Sequence, residues 1–405
     1  MKIYQVGGSV RDILRGEIPT DNDYVIVGSN TAQMLSLGYH QVGKNFPVFI
    51  HPQTKDEYAL ARREIKTGVK HTDFEFIFNE NVTLEQDLER RDFTCNAIAK
   101  DIESGEITDP FNGRQDIKDK IIRHINTDSF QEDPLRILRM CRFAAQLDFE
   151  IAPQTMELAK NMVSHEMLND LSAERIWKEI EKALTFPAFY KFIEAARECG
   201  ALKKIMPAID RLWSTPERLQ YHPEGNTGAH TILTLEAAKN DSPKVKFAVL
   251  IHDIGKSTTP HDILPGHKGH DSRGLALIDE ICSRLKIPNQ YCTFAKIVCK
   301  NHMKLRQVPQ MRLSTLIDFT DDMGKDLEDF IIACRADMLG RLRDIPQTEI
   351  ETFENSANMM RKIYAISQTI TASDMADYES LPKDKHFGEI YRNYRIKKIE
   401  EALKL

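Results

Sequence analysis

Val6-Gly7-Gly8-Ser9-Val10-Arg11-Asp12, followed by Asp21-Asn22-Asp23-Tyr24-Val25-Ile26-Val27, is the stretch on which the fold turns. Ile3 to Val6 reads as a strand, the two glycines close it, and a helix opens at Ser9. Bare backbone at the glycines lets amide N–H groups approach a polyphosphate, and the helix N-terminus favours the negative charge. Arg11 follows closely enough to reach a phosphate. Asp21 and Asp23 then stand two apart at the opening of a second strand, Tyr24 to Val27. That spacing puts both carboxylates on one face of a strand. It suits one or two Mg2+ ions shared with a nucleoside triphosphate. No Gly-Lys-Ser/Thr follows, so this is not a Walker A loop, and the third glycine of a dinucleotide fingerprint is missing.

Outward from this stretch, Val48–Ile50 and Tyr58–Ala61 read as two further strands, a hairpin joined through His51-Pro52. Thr83 and Gln86 form a capping-box pattern opening a helix that carries Arg90 to Ala97. Ser104-Gly105 is a hairpin tip. From Asp128 the pattern becomes helical. Pro134 fits a first-turn position, and Leu135, Leu138, Met140, Phe143 and Leu147 follow at helical spacing. Helices are expected at 153–168, 172–185 and 187–199, then a loop-rich connection over 207–223, then a second helical unit rich in histidine. The fold class is therefore α+β: a mixed-sheet head followed by an all-α body. The division expected is a head over 1–125, a helical neck and body over 126–215, a histidine unit over 216–345 and a helical tail over 346–405.

At 405 residues the chain is too long for one ordinary core. It is 41% hydrophobic and 29% charged, with no apolar run long enough for a bilayer, so no membrane association is expected. Its first ten residues soon meet Arg11 and Asp12, unlike a secretory signal. Seven cysteines at irregular spacing argue against a disulfide framework and for buried, reduced thiols in a cytoplasmic protein. The net charge of −6 does not advertise a nucleic-acid binder, but phosphate contacts depend on local charge. Basic clusters stand at Arg62-Arg63 with Lys66 and Lys70, at Arg90-Arg91, at Arg136, Arg139 and Arg142, and at Arg392, Arg395, Lys397 and Lys398. Any one of them, taken alone, is better explained by a solvated helix face.

Five motifs in order carry a resemblance. They are Val6-Gly7-Gly8-Ser9-Val10-Arg11-Asp12 with Asp21-Asn22-Asp23; Arg90-Arg91-Asp92-Phe93-Thr94-Cys95-Asn96-Ala97; Asp109-Pro110 with Gly113, Asp116 and Arg123; Glu132-Asp133-Pro134-Leu135-Arg136-Ile137-Leu138-Arg139; and Ser172-Ala173-Glu174-Arg175-Ile176 with Glu179. Over about the first 200 residues the chain resembles the class II tRNA nucleotidyltransferase and bacterial poly(A) polymerase superfamily. The resemblance implies that Gly8 and Arg11 hold the triphosphate, that Asp21 and Asp23 bind Mg2+, and that Arg91, Arg136 and Arg139 contact the incoming nucleotide. It implies further that Asp133 and Arg136 form a protein template for C or A. The chemistry agrees, since an aspartate accepts from the exocyclic amine of either base and an arginine donates to ring nitrogens and carbonyls. Glu57 is the candidate third carboxylate. The polar segment 63–70 matches the flexible loop of CCA-adding enzymes. The segment 42–52 also matches that branch, whereas the poly(A) branch tends to carry extra basic residues there and a long basic tail.

His252-Asp253 follows the apolar run Phe247 to Ile251, with His230 upstream and Asp337 downstream. This order resembles the HD-domain metal-dependent phosphohydrolases. Imidazole and carboxylate donors suit a divalent transition metal, with nickel one candidate. His252, Asp253, His230 and Asp337 are the expected ligands, while His267 and His270 stay open between ligand, phosphate contact and surface residue. The combined resemblance is to bacterial multifunctional CCA-adding enzymes. It implies addition of C, C and A to tRNA from CTP and ATP, plus phosphatase, 2′-nucleotidase and 2′,3′-cyclic phosphodiesterase activity, in a monomer or homodimer. Two alternatives stand beside it: a poly(A) polymerase, and a regulatory protein whose HD unit hydrolyses free nucleotides. Tyr391-Arg392-Asn393-Tyr394-Arg395 reads equally as an RNA contact and as a capping helix of the tail.

Overall fold

The structure, a computed structural model, describes residues 1–42, 48–66, 74–375 and 387–403. The chain divides into two compact units, one of residues 1–183 and 191–205, the other of 184–190 and 206–405. The parts of segments 42–52 and 63–70 at residues 43–47 and 67–70 lie outside the described residues.

The first unit begins with strands β1 (Lys2–Val6), β2 (Asp23–Val27), β3 (His40–Val42), β4 (Val48–Ile50) and β5 (Glu57–Leu60). The pair β6 (Arg63–Lys66) and β7 (Phe74–Ile77) stands apart, and β8 (Ala99–Asp101) and β9 (Ile107–Thr108) complete the main sheet. Among the described residues that sheet has seven strands in the order β3-β4-β5-β2-β1-β8-β9. It is mixed: β2 runs parallel to β5, and the other neighbours are antiparallel. Alternation along β1 and β2 puts Val6 and Val25 into one cluster with Leu88 and Ala97, and Ile26 into another with Met34, Phe49 and Leu60. The sheet is thus buried on both faces. The expected hairpin is β4-β5, and Gly105, at φ 75°, turns β8 into β9.

The helices of this unit are α1 (Gly8–Leu14), α2 (Thr31–Ser36), α3 (Leu84–Glu89), α4 (Gly113–Asp119), α5 (Thr127–Glu132), α6 (Leu135–Leu147), α7 (Pro153–Ser164), α8 (Ala173–Leu184), α9 (Phe189–Glu198) and α10 (Ala201–Ile205). Thr83 and Gln86 form the capping box expected of α3. The helix stops at Glu89, however, and Arg90–Ala97 form a turn containing a 3-10 segment at Thr94–Asn96. The reading of one helix through Ala97 is corrected there: Asp92, Thr94 and Asn96 spend their side chains on Phe93 N, Asp116 and Arg11, contacts that a continuous helix would not permit.

The second unit is helical: α11 (Pro207–Asp210), α12 (Thr227–Ala237), α13 (Pro243–Ile251), α14 (His270–Arg284), α15 (Asn289–Asn301), α16 (Leu313–Met323), α17 (Leu327–Leu339), α18 (Gln347–Thr369) and α19 (Phe387–Leu403). The loop expected over 207–223 in fact holds α11 and a 3-10 segment, Arg211–Ser214. Helix α13 is buried on all sides from Val245 to Ile251, as its uninterrupted apolar run requires. Even Lys246 is enclosed, its Nζ donating to the Phe186 carbonyl at 2.8 Å. Ser242 caps α13, and Pro243 occupies its first turn. Among the described residues no helix is long and apolar enough to cross a membrane. Cys282 and Cys292 are joined by a disulfide, which corrects the reading of seven reduced thiols; the other five are free and buried.

Gly255 sets how closely α14 approaches the turn after α13. A Cβ there would collide with the His270 carbonyl and stand 2.6 Å from Gly274 N. Gly255→Ala should therefore lower the unfolding free energy by about 1–3 kcal/mol, as overpacking does. Calorimetry of the second unit's transition checks this, and an unchanged midpoint would mean that α14 shifts freely.

Candidate active sites

Gly7 takes φ 74°, a conformation open to glycine, and turns β1 directly into α1. A Cβ at Gly7 would also meet Arg91 Nη1 at 3.0 Å. Below this turn lies a cavity of about 630 Å3, lined by Gly8, Arg11, Asp23, Arg91, Asp133, Arg136 and Arg139 together with Arg62, Arg90, Asp92, Asn96, Glu132, Arg142, Phe143 and others. Seven arginines face four carboxylates, so the cavity favours a polyanion. The sequence-predicted nucleotide residues thus come together from α1, the 90–97 turn and α6.

Asp23 opens β2 and is the register partner of both Val6 and Glu57. Glu57, on the neighbouring parallel strand, therefore stands beside Asp23 on the same face, and both are exposed. Asp21 lies in a bend ahead of the strand, so strand alternation does not place it. Although its surface is open to solvent, the cavity wall partly desolvates the Asp23 carboxyl, and this with the nearby Asp21 charge raises it despite Arg91.

Each arginine is anchored. Arg11, 3% exposed, donates to Asp12 Oδ1 and, at 2.7 Å, to Asn96 Oδ1. Asp87, fully buried, holds Arg90 and Arg91 and accepts from Arg62 N. Arg91 Nε keeps no hydrogen-bond partner among the described residues. Arg139 donates through Nε and Nη2 to Asp92 Oδ2 at 2.8 and 2.5 Å. Arg136 donates to the Arg90 carbonyl at 2.6 Å and to Ser129 Oγ at 2.9 Å. Asp133 accepts from Arg175 Nη2 on both oxygens, at 3.1 and 2.9 Å. Arg142 is buried against Glu179 at 2.6 Å, with its guanidinium 4.2 Å from the Phe143 ring centroid. The basic face of α6 is therefore not simply a solvated surface: Arg136, Arg139 and Arg142 find acceptors on distant segments, at the Arg90 carbonyl, Asp92 and Glu179.

In the second unit three helices and two helix ends converge. His230 (α12), His252 (end of α13), His270 (α14), His302 (end of α15) and Asp337 (α17) surround Asp253. His230 Nε2 is 3.1 Å from Asp337 Oδ1 and 4.0 Å from Asp253 Oδ2. His252 Nε2 is 3.3 Å from Asp253 Oδ2 and 3.8 Å from Asp337 Oδ1. Each imidazole Nδ1 faces a backbone carbonyl: His230 that of Gly340, His252 that of Val249, His270 that of His267, and His302 those of Val298 and Cys299. Nδ1 then carries the hydrogen and Nε2 presents its lone pair inward, the tautomer a metal requires. His252 Nε2, Asp253 Oδ1 and His270 Nε2 are buried with no hydrogen-bond partner among the described residues. Three orphaned ligand atoms on such a donor set fit a divalent metal, so His230, His252, Asp253 and Asp337 can hold one. Burial would push His230 down, but Asp337 and Glu224 outweigh it and raise the imidazole to about 10, so a proton and a cation compete for the set. Burial pushes His302 down to about 4 and keeps it neutral.

Three family models match in order: the poly A polymerase head domain over residues 3–123, the "Probable RNA and SrmB- binding site of polymerase A" over 148–212, and the HD domain over 226–339. The multifunctional CCA protein of Acinetobacter baumannii (strain AYE) is 41% identical, covering 99% of this chain and 97% of that relative. The multifunctional CCA protein of Vibrio vulnificus (strain YJ016) is 44% identical, covering 87% of this chain and 89% of its own. The chain belongs to the multifunctional CCA protein family. Its fold is also that of solved CCA-adding enzymes. The Bacillus stearothermophilus enzyme in complex with CTP matches with a TM-score of 0.65 at 22% identity, covering 99% of this chain and 89% of that one. A tRNA nucleotidyltransferase complexed with a primer tRNA and an incoming ATP analog matches at 0.59 and 23%, covering 91% and 96%. The head match is shared with poly(A) polymerases, but the full-length relatives are CCA proteins, and the poly(A) alternative is not favoured.

Several site residues of this family member went unassigned from sequence. Asp87, Asp92 and Asn96 anchor the arginines; the last two stood inside a quoted motif, without a role. His302 gave no local signal, because its neighbours in the site come from other helices. His267 is now placed: its Nδ1 meets Thr259 Oγ1 and its Nε2 the Pro216 carbonyl, so both nitrogens are used by the protein. The tail segment is occupied too. Arg392 pairs with Asp318 and Arg395 with Asp321, while Tyr391 and Tyr394 donate to the carbonyls of Ile370 and Asp374, which favours the capping reading.

Removing Glu179 would strand Arg142 in the interior. Glu179→Ala should cost about 3–5 kcal/mol, read as lost unfolding free energy of the first unit in urea. A loss below about 1 kcal/mol would mean that the pair behaves as a surface ion pair. Burial alone would raise the Asp92 carboxyl, but Arg139 and Asn96 outweigh it and hold it down at about 2. Its contribution to stability is thus present above about pH 4 and lost as pH falls towards 2. Asp92→Asn should flatten the acid limb of stability against pH in that window; an unchanged slope would assign the loss to other carboxylates.

Proposed function

We propose that the chain adds C, C and A to the 3′ end of tRNA from CTP and ATP, releasing pyrophosphate, and hydrolyses phosphate esters at its HD unit. The observation that carries the first activity is the common cavity. Gly8, Arg11 and Asp23, from α1 and β2, line it, and so do Asp133 and Arg136, beside and on α6. A nucleotide with its phosphates at the first group can therefore set its base against the second. Arg91, with its free Nε, and Arg139 hold the nucleotide, and Asp133 and Arg136 read the Watson–Crick edge. Both readers must leave their present partners to do so: Asp133 leaves Arg175, and Arg136 leaves the Arg90 carbonyl. Asp21, Asp23 and Glu57 form the carboxylate set at the sheet edge and would hold Mg2+. When bound there, Mg2+ acidifies the attacking 3′-hydroxyl and neutralises the leaving pyrophosphate.

At the HD unit His230, His252, Asp253 and Asp337 would hold a divalent transition metal, nickel among the candidates, because imidazole donors suit such ions better than Mg2+. When bound there, the metal supplies Lewis-acid activation of water for hydrolysis. The adjoining cavity, about 830 Å3, is lined by Lys256, Lys268, Lys300, Lys304 and Arg306, cations suited to a phosphate. Substrates of the 2′,3′-cyclic phosphate, 2′-nucleotide and phosphomonoester classes fit that chemistry, and their hydrolysis restores the hydroxyl on which addition depends. The working division is a head over 1–125, a nucleotide-reading and RNA-binding body over 126–215, the HD domain over 216–345 and a helical tail, acting in the cytoplasm as a monomer or homodimer.

A tRNA transcript lacking its three terminal nucleotides, incubated with Mg2+, CTP and ATP and then sequenced, tests the first activity. Addition of C, C and A followed by arrest is expected, and a long A tail would overturn the reading. Asp23→Asn should lower addition on the order of 100-fold or more and leave hydrolysis of a 2′,3′-cyclic nucleotide intact. His252→Ala should do the reverse. Joint loss in either variant would argue against separable sites.

A further inference from the structure

Two guanidinium groups line the second unit's cavity with donors that the protein leaves unused. Arg306 lies in the 3-10 segment after α15, and its Nη2 is buried with no hydrogen-bond partner among the described residues. It stands 3.9 Å from Asp337 Oδ2, too far for a hydrogen bond, and the other oxygen of that carboxylate is engaged by His230 at 3.1 Å. Arg341 is only 9% exposed, and its Nε is likewise buried without a partner. Glu349 meets Arg341 at 3.2 Å but also meets Arg343 at 2.7 Å, so one carboxylate faces two guanidinium groups. Lys256 in the same cavity is the contrast, because Glu217 and Asp253 hold it at 2.7 and 2.8 Å. Buried donors without acceptors, on side chains that cannot lose their charge, call for an anion.

Their placement says which anion. Gly340 N donates to the Ala336 carbonyl at 2.8 Å, so helical spacing continues past α17 and puts Arg341 one turn, about 5.4 Å, beyond Asp337 on the same face. A phosphate ester at the histidine and aspartate set lies beside Asp337, within reach of Arg306. Arg341 then stands about one backbone step further along a nucleotide strand. Tyr221 and Met303, both exposed, line the same cavity and offer apolar surface to a terminal base. We propose that Arg306 holds the terminal phosphate and Arg341 the phosphodiester on the 5′ side of the terminal nucleotide. The HD unit therefore takes the 3′ end of an RNA strand in preference to a free nucleotide. This rests on the hydrolytic reading of the HD unit and narrows its substrate.

The test compares three substrates on the full chain loaded with Ni2+ or Mn2+. They are 2′,3′-cyclic AMP, the dinucleotide ApA ending in a 2′,3′-cyclic phosphate, and the same dinucleotide with its internal linkage made a neutral methylphosphonate. The charged dinucleotide should exceed cyclic AMP in kcat/KM on the order of 10-fold or more, chiefly through KM, and the neutral one should lose that advantage. Arg341→Gln should abolish the difference between the charged and neutral dinucleotides. Melting curves show whether that variant folds; if it does not, the charged-against-neutral comparison on the intact protein carries the decision. Equal kcat/KM for the two dinucleotides overturns the proposal, and so does an advantage that survives in a folded Arg341→Gln. If none of the three is hydrolysed with either metal, the hydrolytic reading fails, and calorimetric affinities for the two dinucleotides decide the arginine clamp by itself. Tighter binding of the charged form that Arg341→Gln abolishes upholds the clamp, and a difference unchanged by that substitution rejects it.

Discussion

A guanidinium inside a protein must be met by an acceptor, and this constraint shapes the first unit. Arg11, Arg91, Arg136, Arg139 and Arg142 all enter one cavity, where their mutual repulsion would be severe. Asp87, Asp92 and Glu179, buried to 0, 7 and 4% exposure, meet Arg91, Arg139 and Arg142 in turn, while Arg11 is met by Asp12 and Asn96. Each comes from a segment remote from the arginine cluster of α6. The 90–97 turn leaves helical geometry so that Asp92 and Asn96 can serve Arg139 and Arg11 at once. The cavity is thereby rigid where a polyphosphate would lie and adjustable where a base would be read. Asp133 and Arg136 are held by contacts that a ligand can replace: a half-exposed arginine and two backbone carbonyls.

The second unit solves the complementary problem with imidazoles. An imidazole is ambivalent until one nitrogen is committed. Here backbone carbonyls at helix ends and in the preceding turns commit Nδ1 of four histidines, leaving four Nε2 atoms around two carboxylates. The carbonyls of Val249, Val298 and Cys299 belong to the last turns of α13 and α15, where intrahelical donors have run out. The ends of these buried helices thus commit Nδ1 of His252 and His302 and leave their Nε2 atoms facing the carboxylates.

Much of this was legible along the chain. The strand-Gly-Gly-helix opening, the carboxylates near β2, the capping box of Thr83 and the burial of α13 follow from local spacing and apolar pattern, and all stand in the structure. Where the reading fell short, long-range side-chain contacts had overridden a local pattern. The helix expected through Ala97 is interrupted by the needs of Asp92, Thr94 and Asn96. The thiols of Cys282 and Cys292 pair because α14 and α15 pack side by side, which ten residues of sequence separation did not reveal.

By itself the sequence determined which motifs are present: a strand-Gly-Gly-helix turn, a carboxylate pair, an arginine-bearing helix and an HD motif, each carried within a few consecutive residues. Only the tertiary structure decided which groups share a charge. That Glu57 stands beside Asp23, that Asp133 rests on Arg175, that His302 joins the site and His267 does not, all depend on strand register and helix ends meeting across many tens of residues. The physical reason is that backbone periodicity acts over one turn or one strand, whereas electrostatic pairing in a buried site acts on whatever the fold brings within a few ångströms.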